Sequence, residues 1–365
     1  MRVTLIIYSL GAGGAERVIT TMANYWSAKG WNITLLTAQS LPGHPFYRLR
    51  DSVIRRNLDI ARCSGNAIEA FKNNLRRIRV IRQAISESKA DVVISLMSEI
   101  NILTILATLW SGIPVIVQEQ IDPHEHPLLP YWKVLRNLVY PYATFVVTLN
   151  DRSMAYFSPR IRKRGKIIPN PAVDHENHRR PRGEEIGPRT VIAMGRLVPQ
   201  KGFDMLIAAF ASVANKHDRW TLKIFGDGPL RKELESRIED SGLLHKIRLE
   251  GLTKDPFKAF CAADLFVMSS RYEGFPLALC EAMSCGLPVI SFDCASGPSE
   301  IIRHRIDGLL VPAGDVKALS SAMDDMMRND REREVYASRA PEVVQRYGVE
   351  GIMDKWEHAI KEAIK

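Results

Sequence analysis

The chain has 365 residues, 46% hydrophobic and 25% charged, a composition that excludes disordered, collagenous and small disulfide-stapled architectures and suits two domains. The formal charge of +9 is uneven: residues 1–170 carry 22 Lys/Arg against 11 Asp/Glu, and residues 171–365 carry 28 against 30. The basic front half favours an acidic partner: a phosphate-bearing substrate, an anionic membrane surface or nucleic acid.

Residues 3–8 read as a buried strand rather than a signal peptide. The apolar run is one strand long and leads into a glycine loop and an amphipathic helix over 14–29. A strand at Trp31–Thr37, a basic helix over 66–88 and a strand at Val92–Ser95 follow. The charge-free stretch Ile100–Gln118 is interrupted by Gly112-Ile113-Pro114, so it divides into a helix over 99–110 and a strand over 114–118 rather than spanning a membrane. A helix over 130–141 and a strand at Phe145–Thr148 complete a first domain, 1–170. A polar, proline-containing linker is expected over 171–188.

The pattern then restarts in a second domain, 189–347. Strands are expected at Thr190–Met194, Trp220–Phe225, Ile247–Leu249, Leu265–Met268, Pro288–Phe292 and Leu309–Val311. Helices are expected at Phe203–Ala214, Pro229–Ser241, Pro256–Ala262, Pro276–Ser284, 315–328 and 331–346. A last helix over 348–365, carrying Trp356, is a candidate to cross back onto the first domain. Strands that are apolar throughout, alternating with helices, imply parallel sheets covered on both faces. The fold class is therefore α/β, with two doubly wound domains in tandem whose ligands lie beyond the carboxyl ends of the strands.

The cysteines are Cys63, Cys261, Cys280, Cys285 and Cys294. The odd count and the absence of a Cys-x-x-Cys pair argue against a disulfide framework or a zinc site and fit a reducing cytosol.

Three strand exits carry anion-binding chemistry. Gly11-Ala12-Gly13-Gly14-Ala15-Glu16 follows the first strand, and glycines there let backbone N–H groups approach an anion. It is neither a dinucleotide fingerprint nor a P-loop, and a plain strand-to-helix turn stays open. Arg196 and Lys201, in Gly195-Arg196-Leu197-Val198-Pro199-Gln200-Lys201-Gly202, are two long cations that either converge on a diphosphate or are solvated surface charges. Gly226-Asp227-Gly228-Pro229 is either a ligand loop or a helix-capping turn. The sharpest signal is Arg271-Tyr272-Glu273-Gly274-Phe275-Pro276-Leu277-Ala278-Leu279-Cys280-Glu281. Glu273 stands on a loop, Pro276 suits a first helical turn, and Glu281 lies among apolar neighbours. A carboxylate can bind vicinal hydroxyls bidentately; a loop Glu and a helix-surface Glu are the alternatives.

With these marks the chain resembles the retaining, nucleotide-sugar-dependent glycosyltransferases of family 4. The likeness covers nearly the whole chain: the glycine loop at 11–14, Gly195-Arg196-Leu197 with Lys201-Gly202, Gly226-Asp227-Gly228-Pro229, and Ser270–Pro276 with the pair Glu273 and Glu281. Gly297-Pro298-Ser299-Glu300-Ile301-Ile302 is similar to members that build polysaccharides and lipid-linked oligosaccharides.

The resemblance implies the GT-B fold, two facing Rossmann-like domains with a cleft between them. It implies that Arg196 and Lys201 neutralise the donor diphosphate, that Glu281 binds ribose and that Glu273 holds the transferred sugar. Gly274, Phe275 and Pro276 would meet sugar and phosphate through their backbone. Asp227, Gly228, Leu252 and Thr253 would frame the nucleobase, and Gly13 and Gly14 would let a helix approach the phosphates. It implies retention of configuration, with the leaving phosphate helping to take the acceptor proton. No Asp-x-Asp motif is present, so no obligatory metal and no cofactor beyond the donor are expected.

One departure lies in Val117-Gln118-Glu119-Gln120-Ile121-Asp122-Pro123-His124-Glu125-His126, where many members place a histidine near the donor sugar. Glu119 is expected to touch or position the acceptor. His124 or His126 either fills the missing role or is a loop histidine.

A UDP-sugar is the expected donor on family frequency, carrying a hexose or N-acetylhexosamine. The acceptor is a polysaccharide or lipid-linked glycan, with undecaprenyl diphosphate as the candidate lipid. Basic clusters at Arg76-Arg77-Ile78-Arg79 with Arg82, and at Arg160-Ile161-Arg162-Lys163-Arg164, are either solvated faces or a means of peripheral attachment to the anionic cytoplasmic leaflet. Nucleic-acid binding is the competing class, but the clusters lack interleaved stacking aromatics. A catalytically silent sugar-nucleotide binder is the other alternative.

Overall fold

The structure is a computed structural model that describes residues 1–39, 44–61, 65–125, 128–173 and 188–365. Its strands divide into two sheets. The first contains β1 (Arg2–Ile7), β2 (Asn32–Thr37), β3 (Ile54–Asn57), β4 (Val92–Leu96), β5 (Val115–Gln118), β6 (Phe145–Thr148) and β7 (Gly165–Ile167). Their spatial order is β3-β2-β1-β4-β5-β6-β7, every pairing parallel. The second contains β8 (Arg189–Met194), β9 (Trp220–Phe225), β10 (Ile247–Gly251), β11 (Leu265–Met268), β12 (Val289–Asp293) and β13 (Leu309–Pro312), ordered β10-β9-β8-β11-β12-β13 and also parallel. In both sheets the chain starts at an inner strand, winds to one edge and then returns to wind the other way. This is the doubly wound arrangement.

The strands read as unbroken apolar runs because helices cover both faces. All five residues of β4, Val-Val-Ile-Ser-Leu, are buried, as are all four of β11. In the first sheet the layer includes helices α1 (Gly14–Ala28), α2 (Ala67–Ser88), α3 (Ser98–Thr108) and α4 (Pro130–Val139). The charge-free stretch from Ile100 divides into α3 and β5, and no described helix is long and apolar enough to cross a membrane. Cys261, Cys280, Cys285 and Cys294 are free thiols, Cys280 and Cys285 buried as small apolar groups; Cys63 and His126 lie outside the described residues.

Contacts group the chain into two compact units, Pro171–Gly351 and a discontinuous one of Met1–Asn170 with Ile352–Lys365. The last helix, Val349–Ile364, buries Trp356 completely, and within its unit Lys29 pairs with Glu357 at 2.6 Å and Lys166 with Glu362 at 2.6 Å. Most of the expected linker, 174–187, lies outside the described residues.

Two local expectations need correction, and β3 is a strand that the sequence reading does not anticipate. β3, Ile-Arg-Arg-Asn, has no apolar pattern because it is an edge strand with outward-facing arginines. The single helix expected over 331–346 is two, Asp330–Arg339 and Val343–Tyr347, joined by a tight turn at Ala340–Glu342. Pro341, which has no N–H to continue the helix, sits in that turn. Pro276 precedes the helix Leu277–Ser284 as its cap residue instead of occupying the first turn.

Candidate active site

β8 and β11 are neighbours, so the loops that leave their carboxyl ends emerge side by side. Hydrogen bonds stitch them together. Ser269 Oγ donates to the Lys201 carbonyl (2.9 Å), and Arg271 N donates to the Gln200 carbonyl (2.8 Å). Gln200 Nε2 donates to the Tyr272 carbonyl (2.9 Å), and Arg271 Nη1 to the Pro199 carbonyl (2.6 Å). Arg271 also grips both carboxylate oxygens of Asp204, at 3.0 and 2.7 Å. Gly202 permits this seam: its φ is +62°, and a Cβ there would lie 2.1 Å from the Ser269 carbonyl oxygen.

The seam brings together two residues 72 positions apart. Lys201 Nζ donates to Glu273 Oε1 at 2.6 Å, and Ser270 Oγ donates to the same oxygen at 2.6 Å. Glu273 is only 5% exposed, and the Lys201 stem runs over Gly195, whose added Cβ would lie 3.2 Å from it. Lys201 is therefore not a solvated surface charge, nor is Glu273 a free loop carboxylate. Arg196 stands exposed on the same loop and makes no ion pair with the described residues. Both hydrogen bonds fall on Oε1, and an ammonium has three donors, so the pair keeps capacity for a ligand.

The exit of β9 packs against that of β8. Gly226 has a φ of +142°, and a Cβ there would lie 1.8 Å from the Gly195 carbonyl oxygen. Leu197 N donates to the Asp227 carbonyl at 3.0 Å, and a Cβ on Gly228 would meet the Leu197 carbonyl at 2.5 Å. The Asp227 carboxylate accepts from Gly228 N (2.8 Å) and Arg231 Nε (3.2 Å), which hold it below the ordinary carboxylate range. The carboxylate is thus held by its own loop and by the Arg231 side chain, and it does not cap the helix that Arg231 opens. Beyond β10, Leu252 is exposed and Thr253 Oγ1 accepts from Asp255 N at 3.1 Å.

After Glu273, the Gly274-Phe275-Pro276 backbone is backed by Gly297, φ +98°, whose Cβ would meet Pro276 Cδ at 2.6 Å. Phe275 packs edge-on to Tyr347 with centroids 5.2 Å apart. Glu281 is buried in the helix Leu277–Ser284, which excludes a solvated helix face.

In the first unit, Gly13 caps α1 in an extended conformation, and the Glu16 carboxylate folds back over it, 2.1 Å from where a Cβ would stand. The chain's own anion therefore stands at the helix N-terminus beside Gly13 and Gly14. Glu119 at the exit of β5 is buried. It accepts from Ser98 Oγ (2.6 Å) and from the Tyr140 hydroxyl, with Arg136 Nη1 3.9 Å away. Asn101 extends the network to Tyr140, the Gln118 carbonyl and Ser95. Arg136 is 1% exposed and lies 4.9 Å from the Tyr156 ring centroid. Glu119 is a buried node of the fold, because partners from separate segments surround it. Nearby, the fully buried Asp122 accepts from His124 N (3.0 Å) and Arg152 Nε (2.9 Å) and meets the His124 ring Nδ1 at 2.9 Å. Burial alone would raise the Asp122 carboxyl, yet these bonds together hold it below its ordinary value. Asp122 and Arg152 were not singled out from sequence; an Asp two residues before a His is the Asx-turn signal that marks the first of them.

Two family models match: "Glycosyl transferases group 1" over residues 174–343 and "Glycosyl transferase 4-like domain" over residues 13–171. The chain is a GT-B glycosyltransferase related to the group 1 glycosyltransferases. Over 99% of both chains, the glycosyltransferase is 27% identical to the Campylobacter jejuni GalNAc-alpha-(1->4)-GalNAc-alpha-(1->3)-diNAcBac-PP-undecaprenol alpha-1,4-N-acetyl-D-galactosaminyltransferase. It is 34% identical to an exopolysaccharide phosphotransferase of Streptomyces coelicolor over 60% of its own length, a match that spans only 23% of that protein. Its fold matches Anabaena Alr3699/HepE in complex with UDP and glucose at a TM-score of 0.81, with 19% identity and 99% of each chain covered.

The glycosyltransferase's loop seam carries a pH signature. The Arg271 guanidinium holds the Asp204 carboxyl below its ordinary range, against the opposing effect of burial. A carboxylate with a depressed folded pKa contributes stability above its unfolded pKa, about 3.9, and loses it as the pH falls through the folded value. Asp204→Asn should therefore be less stable than the parent at neutral pH. The two should converge below about pH 4, as read from urea midpoints across pH.

Proposed function

We propose that the glycosyltransferase transfers a hexose or N-acetylhexosamine from a UDP-sugar, with retention, to a polysaccharide or lipid-linked glycan. The observation that carries this reading is the Lys201–Glu273 pair, locked between the exits of β8 and β11 beside the exposed Arg196. Glu273 neutralises Lys201, so Arg196 supplies the uncompensated charge for the diphosphate, and Lys201 donates from its remaining N–H groups. Glu273 Oε2 accepts from the hydroxyls of the transferred sugar. Glu281 takes the ribose, the Gly274–Pro276 backbone meets sugar and phosphate, and Asp227, Gly228, Leu252 and Thr253 border the base. Charge that grows on the leaving diphosphate meets donors already in place. His124, oriented by Asp122, is the histidine on this side of β5 suited to a sugar hydroxyl; Glu119 is given no contact with substrate. Because the cations come from the chain, activity should persist in a chelator.

The UDP assignment is supported by the UDP complex of the Anabaena protein, and an undecaprenyl diphosphate acceptor by the Campylobacter relative. An acceptor of that kind places the enzyme at the cytoplasmic face of an anionic membrane. A thermal-shift screen tests the donor: UDP near 100 times its Kd should add about 2.7 kcal/mol, roughly 5 °C or more. A shift with GDP and none with UDP would overturn the assignment. Product mapping with the best donor then reads the anomeric configuration.

A further inference from the structure

The helix α4 is apolar on two sides. Trp132 and Val139 face the core, while Tyr131, Val134 and Leu138 face solvent at i, i+3 and i+7. A helix that presents apolar side chains to water as well as to its core has a second surface to cover. The exposed stripe runs into an open groove of about 570 Å³, walled by Leu138, Tyr142 and Trp110. Trp110 is 93% exposed, whereas each of the other five tryptophans is buried or partly so.

The chain segments that build this face carry charge of one sign. Residues 100–118 and 126–150 contain no Asp or Glu. Arg82 lies at the groove's lip, donating to the Ala107 and Leu106 carbonyls at 2.9 and 3.2 Å, and Lys133 is exposed within the stripe. The short helix Pro159–Arg162, which opens the exposed cluster Arg160, Arg162, Lys163 and Arg164, packs beside the Tyr140–Tyr142 turn at the groove's other end. A second copy of this chain would bring the same cations against themselves, and a basic partner would be repelled. Tryptophan and tyrosine at an apolar surface rimmed by cations fit the interface of an anionic bilayer.

We infer that the face made by α4, Trp110 and Tyr142 is the surface on which this glycosyltransferase docks to an anionic membrane. The inference rests on the membrane-borne acceptor proposed above and gives it a location. It also shifts the emphasis within the basic clusters. Arg77 and Arg82 are anchored on the Ile60 carbonyl and on the end of α3, bonds that fix their charges in place without cancelling them; the apolar groove supplies the insertion and the cationic rim the attraction.

Vesicles of 30% phosphatidylglycerol in phosphatidylethanolamine, with and without brominated chains, test it. The full-length protein should co-sediment with them at low salt, and brominated lipid should quench its tryptophan emission. Trp110→Phe should bind but lose most of the quenching, and Leu138→Ser with Tyr142→Ser should lower partitioning about tenfold or more. Unchanged melting temperature and unchanged UDP-induced shift would show that the fold and donor site are intact. Quenching that persists in Trp110→Phe, or partitioning unaffected by the double substitution, would overturn the docking face and leave membrane association standing. No vesicle binding by the parent protein would remove the membrane reading itself. A dimer dispersed by the double substitution would assign the face to a second copy and overturn the inference.

Discussion

Lys201→Ala should lower kcat/KM for the nucleotide sugar by about two to three orders of magnitude, mostly in kcat. The ammonium is preorganised: its stem lies across Gly195, its head is fixed on Glu273, and its loop is sewn to the neighbouring one. A donor held in that way needs no reorganisation as charge grows on the leaving diphosphate. Removing it also strands Glu273, a nearly buried carboxylate with Ser270 as its remaining donor. The melting temperature should fall as well, because an unpaired buried charge costs up to a few kcal/mol. Glu273→Gln keeps the shape and removes the counter-charge. Combined with Lys201→Met, it should recover part of the lost stability and none of the lost activity. A double-mutant cycle separates the two effects. Activity of Lys201→Ala within about threefold of the parent, against the losses typical of such donors, would remove this pair from the site.

The second large effect concerns backbone. Gly226→Ala should destabilise the protein by about 3 kcal/mol or more, since the new methyl has nowhere to go. Its position lies 1.8 Å from the Gly195 carbonyl oxygen, in a φ of +142° that L-residues avoid. Relief would push Gly195 away and carry the Arg196–Lys201 loop with it, so the UDP-induced thermal shift should shrink too. Gly242→Ala is the control. Its φ is +70° with nothing within 4 Å, so it carries the conformational penalty alone, about 1–2 kcal/mol. Equal urea midpoints for the two variants would mean that the contact between the β8 and β9 exits is not tight.

Much of the fold was legible because burial on both faces leaves an unmistakable residue pattern. Val92–Ser95, Phe145–Thr148 and Leu265–Met268 carry no charge and stand between helical stretches, and each is a parallel strand. β3 hid because an edge strand needs no apolar run, and the break at Ala340–Glu342 hid because the helical period continues through it. The residues around Glu273 were visible as a cluster, but its bond to Lys201 was not. That proximity comes from β8 and β11 being adjacent, a property of strand order rather than of spacing. The surroundings of Glu119 were hidden in the same way. Its partners Ser98 and Tyr140, and nearby Arg136, come from separate segments, so a buried node reads in one dimension like a free carboxylate at a strand exit. The basic clusters were visible as charge but not as geometry: side chains such as Arg77 and Arg82 reach back to backbone carbonyls, which fixes where their charges stand.

The first compact unit is assembled from two separated stretches, and the second lies wholly between them in the chain. During synthesis, Pro171–Gly351 therefore leaves the ribosome before the helix that carries the buried Trp356 has been made. The later-made half can finish folding before the earlier one does, the reverse of the usual vectorial order. Until the final helix arrives, the nascent amino-terminal half lacks a piece of its own unit and holds apolar surface open that the finished fold covers.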